Sequence, residues 1–256
     1  MIKIKSEKEI ELLRAAGAIT AGALDEISKH IKPGISTIEL DKIVEKFIID
    51  KGAKPAFLRY EGFPNSICAS IDDVVVHGIP KSDIILQEGQ IISIDVGAKY
   101  NGYYGDAART FAVGKIDDEK AKLIKVTKEC FFKSIQNLKE GSRLGDIGFE
   151  VERHAQKYGF EPVHQMGGHG IGKNLHEDPF VPMFGRAGTG IKLEAGMVLA
   201  IEPMINMGTY EITVNGWDAR TVDGLPSAHY ENTVLITKNG VEILTKTADL
   251  EANNLE

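Results

Sequence analysis

The chain resembles itself at a fixed distance, and that limits what it can fold into. Lys32-Pro33-Gly34, Leu40, Val44, Gly52 and Pro55 recur 107 positions later as Lys139-Glu140-Gly141, Ile147, Val151, Gly159 and Pro162. At the same offset, Leu86-Gln87-Glu88-Gly89-Gln90-Ile91-Ile92-Ser93-Ile94-Asp95 matches Leu193-Glu194-Ala195-Gly196-Met197-Val198-Leu199-Ala200-Ile201-Glu202. Two blocks sharing one offset are hard to obtain by chance, and the period is far too long for a solenoid. The pattern predicts two similar halves, about 1–115 and 116–256, facing each other across one site within a single domain of 256 residues.

Each half opens with helical patterning. Ile10, Leu13, Gly17, Thr20, Leu24 and Ile27 follow helical spacing loosely from Glu7 to about His30. Pro33-Gly34 breaks the chain, and Ser36 with Glu39 then forms a capping box ahead of the stripe Leu40, Ile43, Val44, Phe47 and Ile48. In the second half Leu123, Val126, Cys130 and Phe131 mark one helix, and Leu144, Ile147, Val151 and His154 another. The runs Ile91–Val96 and Met197–Glu202 suit strands buried on both faces, although periodicity alone leaves a buried helix open. Asn101-Gly102 predicts a hairpin turn after the first run. Helices, strands, helices, strands in that order give an α+β fold with helices on one side of a curved sheet.

Composition removes several function classes. The formal charge is −7 and no lysine or arginine run forms a patch for nucleic acid. No segment has the apolar core of a signal peptide or approaches the ~20 apolar residues of a membrane span. The two cysteines, Cys68 and Cys130, share no metal-type spacing, and a reducing cytoplasm is the simplest setting. The tail from Ala248 to Glu256 is polar and expected to fray.

The repeat puts Asp95 and Glu202 at equivalent points, each at the end of a buried apolar run. An ionised carboxylate there must be protonated, paired with a cation or bound to metal. Lys99 and Arg109 are nearby partners for Asp95, whereas no lysine or arginine follows Glu202 before Arg220. Asp106 lies eleven residues after Asp95, a separation that returns it to the same level across a hairpin, and Glu231 is its counterpart in the second half. His77 in Val76-His77-Gly78-Ile79-Pro80 and His169 in Gly168-His169-Gly170-Ile171-Gly172 look like relatives, and with His176 they stand in loops framed by glycine or proline, where backbone approaches a ligand closely. His30, His154, His164 and His229 read as surface or hydrogen-bonded core residues, with His229 alone close enough in sequence to Glu231, two residues away, to leave a supporting role open.

Four carboxylates with one neutral histidine carry four negative charges, which two divalent ions would balance. Oxygen ligands with a single imidazole favour Mn, Fe or Co over a cysteine-rich structural zinc site. Two ions held close together suit hydrolysis, because they make water nucleophilic and steady a developing oxyanion.

Several motifs, in order and with spacing intact, resemble the methionine aminopeptidases, specifically the short type I form of bacteria. They are Val76-His77-Gly78-Ile79-Pro80, Ile94-Asp95-Val96 with Gly105-Asp106, Gly168-His169-Gly170-Ile171-Gly172, His176-Glu177-Asp178-Pro179, Ile201-Glu202-Pro203 and Tyr230-Glu231-Asn232-Thr233. The resemblance runs from the first helix to about Thr245 and implies the pita-bread (creatinase/aminopeptidase) fold. It implies hydrolysis of the first peptide bond of new proteins, releasing initiator methionine when the second residue is small. It also implies two divalent ions from among Co, Mn, Fe, Ni and Zn. By matching motifs, Asp95 would hold one ion, His169 and Glu202 the other, and Asp106 and Glu231 both. His77 and His176 would touch the scissile amide and its oxyanion, and Glu202 would also carry a proton. The methionine pocket would draw on Phe57, Tyr60, Phe63, Cys68, Leu175 and Trp217. Leu175 stands where the family often has an aromatic residue, and Cys68 reads as a small wall, since no base is paired with it.

Implied partners are nascent polypeptide N-termini, met at the ribosome, with no nucleic-acid substrate and no membrane; nothing demands more than a monomer. A proline-directed peptidase of the same fold, such as aminopeptidase P or prolidase, is the nearest rival, but those usually carry an extra N-terminal domain. A binding module that kept the fold without activity would be expected to lose metal ligands, and a two-metal phosphoesterase would need a phosphate cradle that the sequence lacks.

Overall fold

The computed structural model describes residues 2–248 and 250; the rest of the polar tail lies outside the described residues. Among the described residues four α-helices carry the two halves: α1 (Glu7–Ser28), α2 (Thr37–Asp50), α3 (Asp118–Ile135) and α4 (Leu144–Lys157). The first half contributes strands β1 (Lys54–Pro55), β2 (Ile67–Ile71), β3 (Val74–Val76), β4 (Ile91–Tyr100) and β5 (Tyr103–Ala112). The second contributes β6 (Glu161–Pro162), β7 (Gly167–Gly170), β8 (Glu177–Pro182), β9 (Val198–Ile201), β10 (Met204–Asn206), β11 (Ile212–Asn215), β12 (Asp218–Thr221), β13 (Ser227–His229), β14 (Asn232–Ile236) and β15 (Val241–Ile243).

The sequence offset is a structural one. α2 and α4 begin and end 107 residues apart. The bridge between Ser36 and Ile85 is repeated by Arg143 and Lys192, and the bond from Gly34 N–H to the Leu86 carbonyl is repeated from Gly141 to Leu193. Gly34 and Gly141 hold φ of 93° and 92°, a conformation that side-chain-bearing residues rarely adopt. Ser36 caps α2 as the sequence predicts: its hydroxyl accepts from Glu39 N–H at 3.3 Å, and its own N–H donates to the Glu39 carboxylate at 2.9 Å.

Each half buries one face of its sheet under its helices. Leu24, Ile27, Leu40, Val44 and Ile48 pack on Ile92, Ile94 and Val96 of β4. Phe131, Ile147 and Val151 pack with Leu199 and Ile201 of β9 and Val234 and Ile236 of β14. Because side chains alternate along a strand, this burial turns Asp95 away from the helices, and it does the same for Ala200 and for Glu202 just past the end of β9. The apolar runs are therefore strands, and their acids face the space between the halves. The strands are antiparallel, with orders β1-β4-β2 (β5 also on β4) and β15-β14-β9-β7-β8 for the two larger sheets among the described residues. The halves join where Ala108 and Glu231 exchange backbone hydrogen bonds.

α1 lies directly on β5. A Cβ on Gly105 would sit 2.8 Å from Gly17 Cα, and one on Gly17 would sit 2.4 Å from the Leu244 carbonyl oxygen. Thr20 seals the contact by donating to the Gly105 carbonyl at 3.1 Å, which fixes the strand one residue before Asp106. Among the described residues no helix is long and apolar enough to cross a membrane.

Candidate active site

The hairpin of β4 and β5 turns at Asn101-Gly102, with φ of 47° and 88°, as the sequence predicts. Its register sets Asp95 opposite Ala108 and Asp106 opposite Gly97. The two acids are thus diagonal neighbours on one face of the sheet. In the second half the separation is different. Glu202 follows β9 and Glu231 precedes β14, brought level by the pairing of Ile201 with Asn232, while β10 to β13 intervene in the chain. His169 comes from the middle of β7, opposite Ala200, and so belongs to a strand rather than a loop.

These side chains meet in one cavity of about 870 Å³. Asp106, His169 and Glu231 bring ligand atoms within 4.8 Å of one another, and so do Glu202, His229 and Glu231. His169 Nε2 lies 3.6 Å from Asp106 Oδ2 and 3.8 Å from Glu202 Oε1. Its Nδ1 is 2.9 Å from the Gly170 carbonyl, which can only accept, so Nδ1 carries the hydrogen and Nε2 presents its lone pair to the acids. Asp95 lines the same cavity.

Neither cation that the sequence offers Asp95 is directed to it. Lys99 lies over the Tyr104 ring, 4.7 Å from its centroid. Arg109 donates to the Ala108 and Glu231 carbonyls, to Asn232 Oδ1 and to Thr247 Oγ1. Asp95 Oδ1, Asp106 Oδ1 and Glu231 Oε1 are buried without a hydrogen-bond partner. Burial, then the charges of Asp106 and Glu202, push the Asp95 carboxyl well above the usual carboxylate range, and the same causes raise Glu231. Burial would lower His169, but the neighbouring Asp106 and Glu202 carboxylates outweigh it and raise the imidazole, so in the metal-free fold a proton competes for the Nε2 lone pair. Orphaned oxygens of several converging acids, with an imidazole lone pair aimed among them, are the donor set that divalent cations satisfy.

His77 and His176 stand at the edge of this cluster. His77 follows β3 in a left-handed conformation, φ 61°, so the likeness between its segment and that of His169 is one of sequence and not of position. Burial lowers both imidazoles, which keeps them neutral near pH 7. The His176 ring packs edge-on to His169, centroids 4.4 Å apart, and its Nδ1 is 3.0 Å from the Tyr60 hydroxyl. Phe57, Tyr60, Phe63, Cys68, Leu175 and Trp217 line the same cavity. Phe63 and His77 meet the Trp217 ring edge-on at 5.2 and 5.9 Å. Burial, then the charges of Asp95, Asp106 and Glu231, hold the Cys68 thiol protonated, so it is an inert wall.

Three residues that the sequence left in the background belong to this centre. His229 is 1% exposed, its Nε2 lies 3.5 Å from Glu202 Oε2 and 3.9 Å from Glu231 Oε2, and neither ring nitrogen has a hydrogen-bond partner. Its place two residues before Glu231 was the available signal. Thr233 clamps Asp106 from the other half: its hydroxyl accepts from Asp106 N–H at 3.0 Å and donates to the Asp106 carbonyl at 2.9 Å. Arg109 reaches the Glu231 carbonyl at 2.6 Å and stacks over the Tyr230 ring.

The two-halved sheet and its acid-lined centre define a metal-dependent hydrolase of the pita-bread fold, and comparison with known proteins agrees. Residues 11–238 match metallopeptidase family M24, and the chain belongs to that family. Within it, the relatives are methionine aminopeptidases. That of Clostridium acetobutylicum is 53% identical over 96% of this chain and 99% of its own length, and methionine aminopeptidase 1 of Bacillus subtilis is 47% identical over 96% and 100%. The crystal structure of the Thermotoga maritima methionine aminopeptidase superposes with a TM-score of 0.95 at 44% identity, covering 96% of this chain and all of that one. The prolidase of Pyrococcus furiosus shares the fold at a TM-score of 0.77 and 27% identity, but this chain covers only 65% of its length.

Proposed function

We propose that this metallopeptidase removes the initiator methionine from nascent proteins and peptides whose second residue is small, by two-metal hydrolysis of the first peptide bond. The observation that carries the reading is the meeting of Asp95, Asp106, His169, Glu202 and Glu231 in one cavity with the apolar compartment of Phe57, Phe63, Cys68, Leu175 and Trp217. Four carboxylates and a neutral imidazole balance two divalent ions, drawn from Co, Mn, Fe, Ni and Zn. Asp95 would serve one ion, His169 and Glu202 the other, with Asp106 and Glu231 between them. Bound there, the ions would lower the pKa of water and offset charge on the carbonyl oxygen.

The protein's own groups complete the reaction. The compartment takes the methionine side chain out of water, which fixes the first peptide bond against the acids. His77 and His176, neutral through burial, donate hydrogen bonds to the scissile amide and its developing oxyanion. Glu202 accepts the proton of the attacking water and delivers it to the leaving amine. The names of the relatives and the apolar wall support methionine as the first residue. The preference for a small second residue rests on the family resemblance. In the same reading the chain works as a monomeric single domain, in the cytoplasm, on N-termini emerging from the ribosome.

Turnover of Met-Ala-Ser by metal-free protein supplied with each divalent ion in turn tests this. Cleavage of Met-Ala-Ser, and not of Xaa-Pro peptides, is expected with at least one ion. Preferential cleavage of Xaa-Pro peptides would favour the proline-directed reading instead.

A further inference from the structure

The cavity wall beyond the acidic cluster carries an aromatic ring that this chemistry does not use. Phe180 belongs to β8, at one end of the strand order β15-β14-β9-β7-β8. It is 54% exposed, yet it lines the same cavity as His169 and Asp106. A single exposed aromatic residue is ordinary on a protein surface. Three features set this one apart.

The first is register. Phe180 lies directly opposite His169, which lies opposite Ala200. Opposed residues of antiparallel strands project from the same face, with Cβ atoms ~4.5–5.5 Å apart. The ring therefore stands on the face that presents the His169 imidazole to the acids, one strand further out. The second is its bed. A Cβ on Gly167 would sit 2.6 Å from the Val181 carbonyl oxygen and 3.0 and 3.2 Å from Phe180 Cζ and Cε2, so the glycine lets the ring rest directly on backbone. The third is continuity. Met166 extends the wall beside Gly167 and packs on Val75, Val76, Val163 and Met204. That places it away from the compartment proposed for methionine, whose residues pack in a separate apolar cluster. Charge gives the mouth no single preference, because Lys3, Glu61 and Asp178 all line it, and Glu177 is paired with Lys5 at 2.5 Å.

An extended peptide advances ~3.4 Å per residue, and neighbouring strands are ~4.8 Å apart. One or two residues past the second residue of a substrate cover the distance from the cluster to this ring. We propose that Phe180, with Met166 and Gly167, forms an apolar shelf for the third or fourth residue of the peptide, so that the enzyme prefers substrates with an aromatic or large aliphatic side chain there. The inference rests on the peptidase reading above.

Three peptides test it on the metal-loaded wild-type enzyme: Met-Ala-Gly-Gly-Gly, Met-Ala-Phe-Gly-Gly and Met-Ala-Gly-Phe-Gly. One of the phenylalanine peptides is expected to exceed the glycine peptide by about 3- to 10-fold in kcat/KM, through KM and not kcat. Phe180→Ser should bring that ratio close to one, and Phe180→Leu should keep part of it. Equal kcat/KM for all three peptides in the wild type, or a ratio that survives Phe180→Ser, would overturn the shelf. No turnover of any of them would instead refute the peptidase reading itself, and the shelf with it.

Discussion

Loading metal-free protein with divalent ions is predicted to raise its melting temperature and to release protons. In the metal-free fold, burial and then the charges of Asp106 and Glu202 hold the Asp95 and Glu231 carboxyls well above their ordinary range. Each therefore binds a proton over a pH range in which it is ionised in the unfolded chain. An acid whose folded pKa is raised makes the fold less stable as pH climbs from the unfolded value, about 4, through the folded one. Metal-free protein should accordingly lose stability from about pH 4 upward through this pair. Bound cations reverse the preference, because the ionised carboxylates are the ligands. At one hundred times the dissociation constant, one site contributes about 2.7 kcal/mol. For a chain of 256 residues, at about 2–4 °C per kcal/mol, that is a rise of about 5–11 °C per filled site. Scanning calorimetry of chelator-treated protein, with and without Mn at pH 5.5 and 7.5, reads the shift, which should be the larger at pH 7.5. Isothermal titration in two buffers of different ionisation enthalpy reads the protons. No shift at saturating metal would refute the reasoning. Equal shifts at both pH values with no buffer dependence would refute its acid–base half.

Other perturbations separate the roles. Glu202→Gln should abolish turnover, since it removes a ligand and a proton carrier together; wild-type activity in that variant would remove Glu202 from the mechanism. His77→Ala should bind metal normally and lose about 10²–10³-fold in kcat, the usual cost of an oxyanion donor; metal loss by elemental analysis would place His77 among the ligands instead. Gly17→Ala puts a methyl group 2.4 Å from the carbonyl oxygen of Leu244, the residue after β15. It should cost about 1–3 kcal/mol in denaturant unfolding, and an unchanged midpoint would mean that the segment at Leu244 yields to α1 without cost.

Much of this arrangement could be read from the chain because it is local or repeated. The 107-residue offset found the equivalent strands, and through them Asp95 and Glu202. Asn101-Gly102 turned the hairpin that brings Asp106 beside Asp95. The alternation that buries Ile92 and Ile94 under the helices also decided which way Asp95 faces. What stayed hidden depends on register between distant segments. Thr233 and Arg109 are ordinary residue types whose meaning comes from a partner more than a hundred residues away, as in the clamp of Thr233 on Asp106 or the reach of Arg109 to Glu231, and His229 gains its meaning only once Glu202 is brought beside it. Phe180 is a single aromatic residue in sequence, and only the pairing of β8 with β7 sets it beside His169. The cationic partners considered for Asp95 failed for the same reason, since sequence proximity does not reveal that Arg109 is engaged by the second half.

The claim on which the rest depends is that the acids and imidazole at the meeting of the two halves hold a cation pair. Anomalous diffraction from crystals loaded with Mn measures it directly. The account predicts two peaks about 3.5–4 Å apart, bounded by Asp95, Asp106, His169, Glu202 and Glu231. A fully loaded crystal with no peak among these residues, or with its ions bound elsewhere, would contradict it.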